Sequence, residues 1–319
     1  MILRFGKACW MPVFVLFSLS RFAFSQDADD FYMSSQDLLD RGEFKLAIRS
    51  IDQALLIDSS VSDYYLQRAN IHFQMKLYDK TIIDCYKALK LKNDNPEIYI
   101  LRGKVCQITQ SYGGAILFFG KAIKYSSEND GLFEAFLNRG KAYYELRKYI
   151  DAKNDFASAY DIDPESVDLL VSMSENYLKI NDKMNALINL KKAIEIDSSY
   201  SPAYELLGRL AIVDQDYPEA ILAYRKYCDL QPETASAFNK LGEAYLLNSE
   251  YDSAMTTLNR SQSLLPTDPM IFKLKGLVYI KQLKHELGCN NLFRAMQLGY
   301  LEQYGYDLLD IYLDECEDQ

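Results

Sequence analysis

Compact residues recur every thirty-four positions along this chain: Ala47, Thr81 and Ala115, then, after one three-residue slip, Ala152, Ala186, Ala220, Ala254 and Gly288. A second series runs seven residues behind it, through Ala54, Ala88, Ala122, Ala159, Ala193, Tyr227, Ser261 and Ala295. A single globular core has no reason to repeat at a fixed interval. A stack of small units does, because each unit buries one face against the next. Counted from Ala28, the units are 28–61, 62–95, 96–129, 133–166, 167–200, 201–234, 235–268 and 269–302. Apolar residues make up 49% of the chain, enough to give every unit a buried face.

Within each unit apolar residues recur at spacings of three and four, the sign of two amphipathic helices. The eighth residues are Ser35, Ala69, Gly103, Gly140, Ser174, Gly208, Gly242 and Gly276. Glycine inside a helix costs about 1 kcal/mol, so its recurrence there marks close helix packing. The seventeenth residues, Phe44, Tyr78, Tyr112, Tyr149, Lys183, Tyr217, Tyr251 and His285, stand at the turn into the second helix. Asn95-Pro96, Asp163-Pro164 and Gln231-Pro232 close units with turn chemistry. The extra Asn129-Asp130-Gly131 either bends the stack or divides it three units to five.

The period, the small eighth residue, the alanines and the closing proline resemble the tetratricopeptide repeat over residues 28–302. The resemblance implies an all-α, right-handed α-solenoid of about eight tandem hairpins, followed by a capping helix and acidic tail over 303–319. Tyr304, Leu308, Ile311 and Tyr312 form the apolar face of that helix. Gly288-Cys289 with Leu292, Ala295 and Leu298-Gly299 is similar to the last repeat of secreted tetratricopeptide proteins of Bacteroidetes bacteria.

Residues 1–25 read differently. Arg4 and Lys7 precede an apolar run from Met11 to Leu19, and Ala23-Phe24-Ser25 has small residues where a signal peptidase reads, so a signal peptide cleaved before Gln26 is expected. The run is shorter than the ~20 residues of a membrane span, and the mature chain should be exported, to the periplasm or cell envelope. An anchor retained uncleaved is the alternative. Removing 1–25 takes away Arg4, Lys7 and Arg21 and no acid, moving the net charge from −10 to −13. A chain so acidic, without a Lys/Arg cluster, is a poor binder of nucleic acid or anionic lipid.

Catalytic chemistry is sparse. Of two histidines, His72 falls at the eleventh position, equivalent to Tyr143, Tyr177, Tyr245 and Tyr279, and His285 at the aromatic turn position. No His-Glu-x-x-His, Gly-x-Ser-x-Gly or phosphate-loop pattern occurs. The expectation is no enzyme, no cofactor and no metal. Five cysteines follow the leader: Cys85, Cys106, Cys228, Cys289 and Cys316. Cys85 and Cys106 take buried register positions, and Cys289 and Cys316 meet in a disulfide if the capping helix folds back on the last hairpin; inert thiols are the alternative.

The resemblance further implies a concave surface lined by first helices, at the second, fifth, ninth, twelfth and thirteenth residues of each unit. Ninth residues run Gln36, Asn70, Lys104, Lys141, Glu175, Arg209, Glu243 and Leu277, and twelfth residues are mostly apolar, with Tyr144 among them. Apolar residues beside varied charge suit a peptide or protein segment. Lys104, Lys141, Tyr144, Glu175, Arg209 and Glu243 are the candidate contacts. The second residues Asp29, Asp63, Glu97, Glu134 and Asp168 lie in first helical turns, where carboxylates are favoured electrostatically; contact with a basic ligand is their other role. The clamp by which some tetratricopeptide domains hold chaperone C-terminal carboxylates needs Lys and Asn in the first repeat and basic residues in the third. Tyr32 and Gln36, then Glu97 and Leu101, stand there instead. The expected function is an exported, non-enzymatic binding scaffold, with a glycan or cell-wall module, or an accessory subunit of an envelope enzyme complex, as the alternative.

Overall fold

The computed structural model describes residues 28–127 and 129–316. The leader and its cleavage site therefore lie outside the described residues, which are helical throughout with short connections and no strand. They divide into two compact units that part between Ile162 and Asp163.

The first unit contains α1 (28–40), α2 (Phe44–Ile57), α3 (Ser62–Gln74), α4 (Tyr78–Leu91), α5 (Pro96–Ile108), α6 (Tyr112–Tyr125), α7 (Asn129–Glu145) and α8 (Tyr149–Ile162). Helices pair as α3 with α4, α5 with α6 and α7 with α8, and each pair packs on the next. The second unit contains α9 (Val167–Lys179), α10 (Lys183–Ile196), α11 (Ser201–Val213), α12 (Tyr217–Leu230), α13 (Ala235–Leu247), α14 (Tyr251–Leu264), α15 (Pro269–Lys281), α16 (His285–Gln297), α17 (Tyr300–Tyr304) and α18 (Asp307–Cys316). Here α9/α10, α11/α12, α13/α14 and α15/α16 are the hairpins, and α18 packs back on α16.

Local chemistry sets the helix ends. Asn95 caps α5 through its Oδ1, which accepts the Glu97 N–H at 3.0 Å, with Pro96 at the first helical position. Asp268 does the same for Met270 ahead of Pro269, at 2.9 Å. The three inserted residues do not divide the stack. They lengthen α7 to 17 residues against 13 for α5, and the compact units part a full hairpin later.

Every hairpin turn carries one left-handed residue, at the fifteenth position of its unit. Only Gly42 is a glycine; Lys76, Gln110, Arg147, Asn181, Gln215, Ser249 and Leu283 hold φ of 57–63°. At the last of these, Lys284 N–H donates to the Tyr279 carbonyl at 2.9 Å, closing the helix end. Leu283 is 81% exposed, so its side chain adds little there. A non-glycine residue in this conformation costs roughly 1–2 kcal/mol, and glycine returns about 0.4–1 kcal/mol as unfolded-chain entropy. Leu283→Gly should therefore raise stability by about 0.5–1 kcal/mol in thermal unfolding. A lower melting temperature would mean that the leucine side chain packs in solution.

The core of each hairpin is formed between the eighth residue and one sixteen places later. In the first unit a Cβ built on Gly103 would lie 2.5 Å from the Phe119 ring, and one on Gly140 2.6 Å from Phe156. In the second unit Gly208 meets Tyr224 at 2.5 Å, Gly242 meets Leu258 at 2.7 Å and Gly276 meets Leu292 at 2.5 Å. These glycines are packing residues.

The chain's end is two helices rather than one starting at 303. Gly299 at φ +88° and Gly305 at φ +104° break the backbone on either side of α17. Tyr300, Leu308, Ile311 and Tyr312 then close over Leu292 and Ala295, while Tyr304 stacks on Tyr300 with ring centroids 4.9 Å apart. Cys289 on α16 and Cys316 on α18 are joined by a disulfide, Cα–Cα 5.7 Å. Its 27-residue separation makes it worth roughly 3 kcal/mol in unfolded-chain entropy.

Candidate protein-binding surfaces

In the first unit the first helices of successive hairpins share an open cleft of about 750 Å³. Asn70 on α3, Glu97, Ile100, Leu101 and Lys104 on α5, and Glu134 on α7 line it, so second, fifth, sixth and ninth register positions face one space. Lys92, Asp94 and Asn95 form its edge at the α4–α5 connection. Lys104 is already engaged: its ammonium pairs with Glu134 of the next hairpin, both about one-third exposed. Lys141 and Tyr144 lie half-buried on α7. Tyr144 meets Tyr149 edge-on, ring centroids 5.6 Å apart.

In the second unit Glu175 on α9 and Arg209 on α11 come together at 3.5 Å, an exposed ion pair between equivalent positions of adjacent hairpins. Such a pair is worth about 0–1 kcal/mol, leaving both charges available for exchange with a ligand. Glu205 and Lys240 pair at 3.0 Å, which the sequence reading missed because those residues face each other only once hairpins stack. Glu243 is exposed on α13. Burial, and then the charge and hydrogen bond of Asp168, raise the Tyr200 hydroxyl above its ordinary value. The candidate contacts thus fall into two sets, Lys104, Lys141 and Tyr144 in one unit and Glu175, Arg209 and Glu243 in the other.

The strongest electrostatics lie between the packed helices, within a hairpin and, through Asp52 on α2, from one hairpin to the next. Arg68 donates twice to Asp84, at 2.9 and 2.7 Å, and once to Asp52 at 2.6 Å. His72 Nδ1 lies 3.1 Å from Asp84 Oδ2, the same oxygen that accepts from Arg68 Nε. Burial opposes the charge of Asp84, but the hydrogen bonds and charges of His72 and Arg68 outweigh it, and its carboxyl sits below the ordinary range. Arg139 and Asp155 repeat the arrangement two hairpins later, with both contacts at 2.7 Å. These networks fasten helices. Cys85 and Cys228 are buried, which pushes both thiols up to about 12, and Cys106 is raised by burial too. Among the described residues no group of three His, Cys, Asp or Glu is placed to hold a metal, and no helix is long and apolar enough to cross a membrane.

Hairpin after hairpin of paired helices defines an α-helical repeat architecture. Residues 62–95 and 133–166 match the tetratricopeptide-repeat family model, and residues 213–295 match that of anaphase-promoting complex, cyclosome, subunit 3. The chain thus contains stretches that match the tetratricopeptide repeat. Hsp70-Hsp90 organizing protein 2 of Arabidopsis thaliana is 22% identical over 214 residues, 56% of this chain and 37% of the relative; the chain thus spans well under half of that protein's length. The APC/C hetero-tetramer Cut9–Hcn1 superposes with TM-score 0.63 at 16% identity, covering 90% of this chain and 55% of the other. A tetratricopeptide repeat protein from Parabacteroides merdae gives TM-score 0.52 at 16% identity, with 90% and 99% covered. Identities this low speak for the fold alone, so the likeness to Bacteroidetes proteins reaches no further than architecture.

Proposed function

We propose that the chain is an exported, non-enzymatic scaffold that holds a peptide or protein segment along its first helices. The observation that carries this reading is the first-unit cleft, where side chains from three successive hairpins converge on one open space. Its wall sets the Asn70 amide, the Glu97 carboxylate and the Lys104 ammonium over the buried Ile100 and Leu101, a surface whose polar groups can set the register of a bound segment. Export rests on the basic start, apolar run and small residues of positions 1–25. The relatives named as organizing proteins support a scaffold class. What they organize is a separate matter, because Tyr32, Gln36, Glu97 and Leu101 offer no cation to a terminal carboxylate.

The test is a peptide selection on the purified chain, followed by affinity measurement with Lys104→Glu, which reverses a charge in the wall of the cleft. The selected peptides should bind the variant at least tenfold more weakly, with its melting temperature within a few degrees of the parent. Unchanged affinity would remove this cleft from the binding face.

A further inference from the structure

At the start of the first unit the side chains specify what a ligand must present. Gln67 on α3 is 7% exposed, and its Nε2 has no hydrogen-bond partner. A buried amide donor left unpaired is rare in a folded chain and calls for an explanation. Gln67 lines a pocket of about 280 Å³ together with Tyr32 and Gln36 of α1, Asp63 of α3 and Glu97 of α5. Tyr32 accepts a hydrogen bond from Gln36 at 2.8 Å, so the polar wall on that side is already ordered. Asp63 and Glu97 are exposed and take part in none of the ion pairs of the described residues, unlike Glu134 further along, which Lys104 holds. Their field is felt locally: after burial itself, the charges of Asp63, Glu97 and Asp29 raise the Tyr32 hydroxyl. Lys92 also lines the pocket, but the acids outnumber it. The pocket continues into the larger cleft, since Asn70, Lys92, Asn95 and Glu97 line both.

We propose that this pocket receives a lysine or arginine side chain of an extended partner segment, which then runs on into the cleft. Asp63 and Glu97 pair with the cation, and the Gln67 amide donates to a backbone carbonyl of the segment. This assignment rests on the first helices being the binding face and gives that face a ligand chemistry.

The experiment uses a fluorescein-labelled octapeptide of alternating lysine and alanine, acetylated and amidated at its ends, and its glutamate counterpart, titrated onto the purified chain by fluorescence anisotropy. The lysine peptide should bind at least tenfold more tightly than the glutamate peptide, and less tightly as salt is raised. Asp63→Asn/Glu97→Gln should weaken it at least tenfold, and Gln67→Leu, which removes the donor at similar size, about fivefold. Glu195→Gln/Asp229→Asn removes the same charge from exposed positions on α10 and α12 and should bind as the parent does. Circular dichroism melting of each variant shows that it is folded. Equal binding of both peptides, or lysine-peptide binding indifferent to the pocket variants, overturns the assignment. If the peptides selected above still depend on Lys104, that failure belongs to the basic ligand alone and leaves the scaffold reading standing.

Discussion

Arg139→Met is expected to destabilise the chain by about 3–5 kcal/mol, while Arg139→Met/Asp155→Leu returns to within about 1 kcal/mol of the parent. Asp155 is 5% exposed and accepts two hydrogen bonds from the Arg139 guanidinium, each at 2.7 Å. Those bonds raise the guanidinium above its ordinary value, so the cation is held firmly as well as oriented. Removing the cation alone strands a carboxylate between α7 and α8, where water cannot replace the lost donors. Removing both charges leaves two apolar side chains of similar size, and burial of apolar surface then offsets the vanished pair. Urea unfolding followed by circular dichroism measures all three proteins. A single variant as stable as the parent would mean that water reaches Asp155. A double variant no better than the single would mean that the arginine's packing, against Phe136 at 5.6 Å and Tyr143 at 6.0 Å, matters more than its charge.

That pair also shows where sequence reasoning stops. The thirty-four-residue spacing located the hairpins because packing repeats it at every unit: Ala47, Ala115, Ala152 and Ala220 are all wholly buried. The glycines were equally legible, since nothing but close approach selects glycine inside a helix. Arg68/Asp84 and Arg139/Asp155 were not, although both stand sixteen residues apart at the same two register positions. They occur in only two hairpins and break the apolar pattern, so a reading that weights regularity passes over them. The turns hid their strain for a related reason, because Lys76, Gln110 and Arg147 look like ordinary exposed residues until the backbone shows φ near +58°. For the binding face, the register named plausible side chains but not their mutual arrangement. Arg209 and Glu175 are thirty-four residues apart and meet only through the stacking of hairpins. Gln67 was invisible as a candidate: the register gives its position, but only the packed environment shows an amide left without a partner.

Gly140→Ala is expected to cost about 1–3 kcal/mol, against the usual gain of roughly 1 kcal/mol for alanine over glycine inside a helix. The new methyl would lie 2.6 Å from Cε1 and 2.7 Å from Cδ1 of Phe156, a ring that is itself buried. The chain contains the compensating arrangement elsewhere. Ser35 and Ser174 carry a Cβ at the same register position, and the residues sixteen places on are Ile51 and Leu190, aliphatic rather than aromatic. Ala69 is matched by the still smaller Cys85 in one core cluster. Where a Cβ stands at the first position, in these hairpins, the partner is not aromatic, although Gly242 and Gly276 show that a leucine partner can also close on a glycine. Gly140→Ala/Phe156→Leu copies the Ser174 and Leu190 volumes into α7 and α8, and should be more stable than Gly140→Ala by at least 1 kcal/mol. Phe156→Leu alone should lose about 1 kcal/mol through the cavity it leaves. The coupling between the two sites, read from the four melting curves, separates steric conflict from backbone entropy. Strict additivity would mean that the alanine is tolerated by a shift of α7 against α8, and that glycine serves some purpose other than admitting the ring.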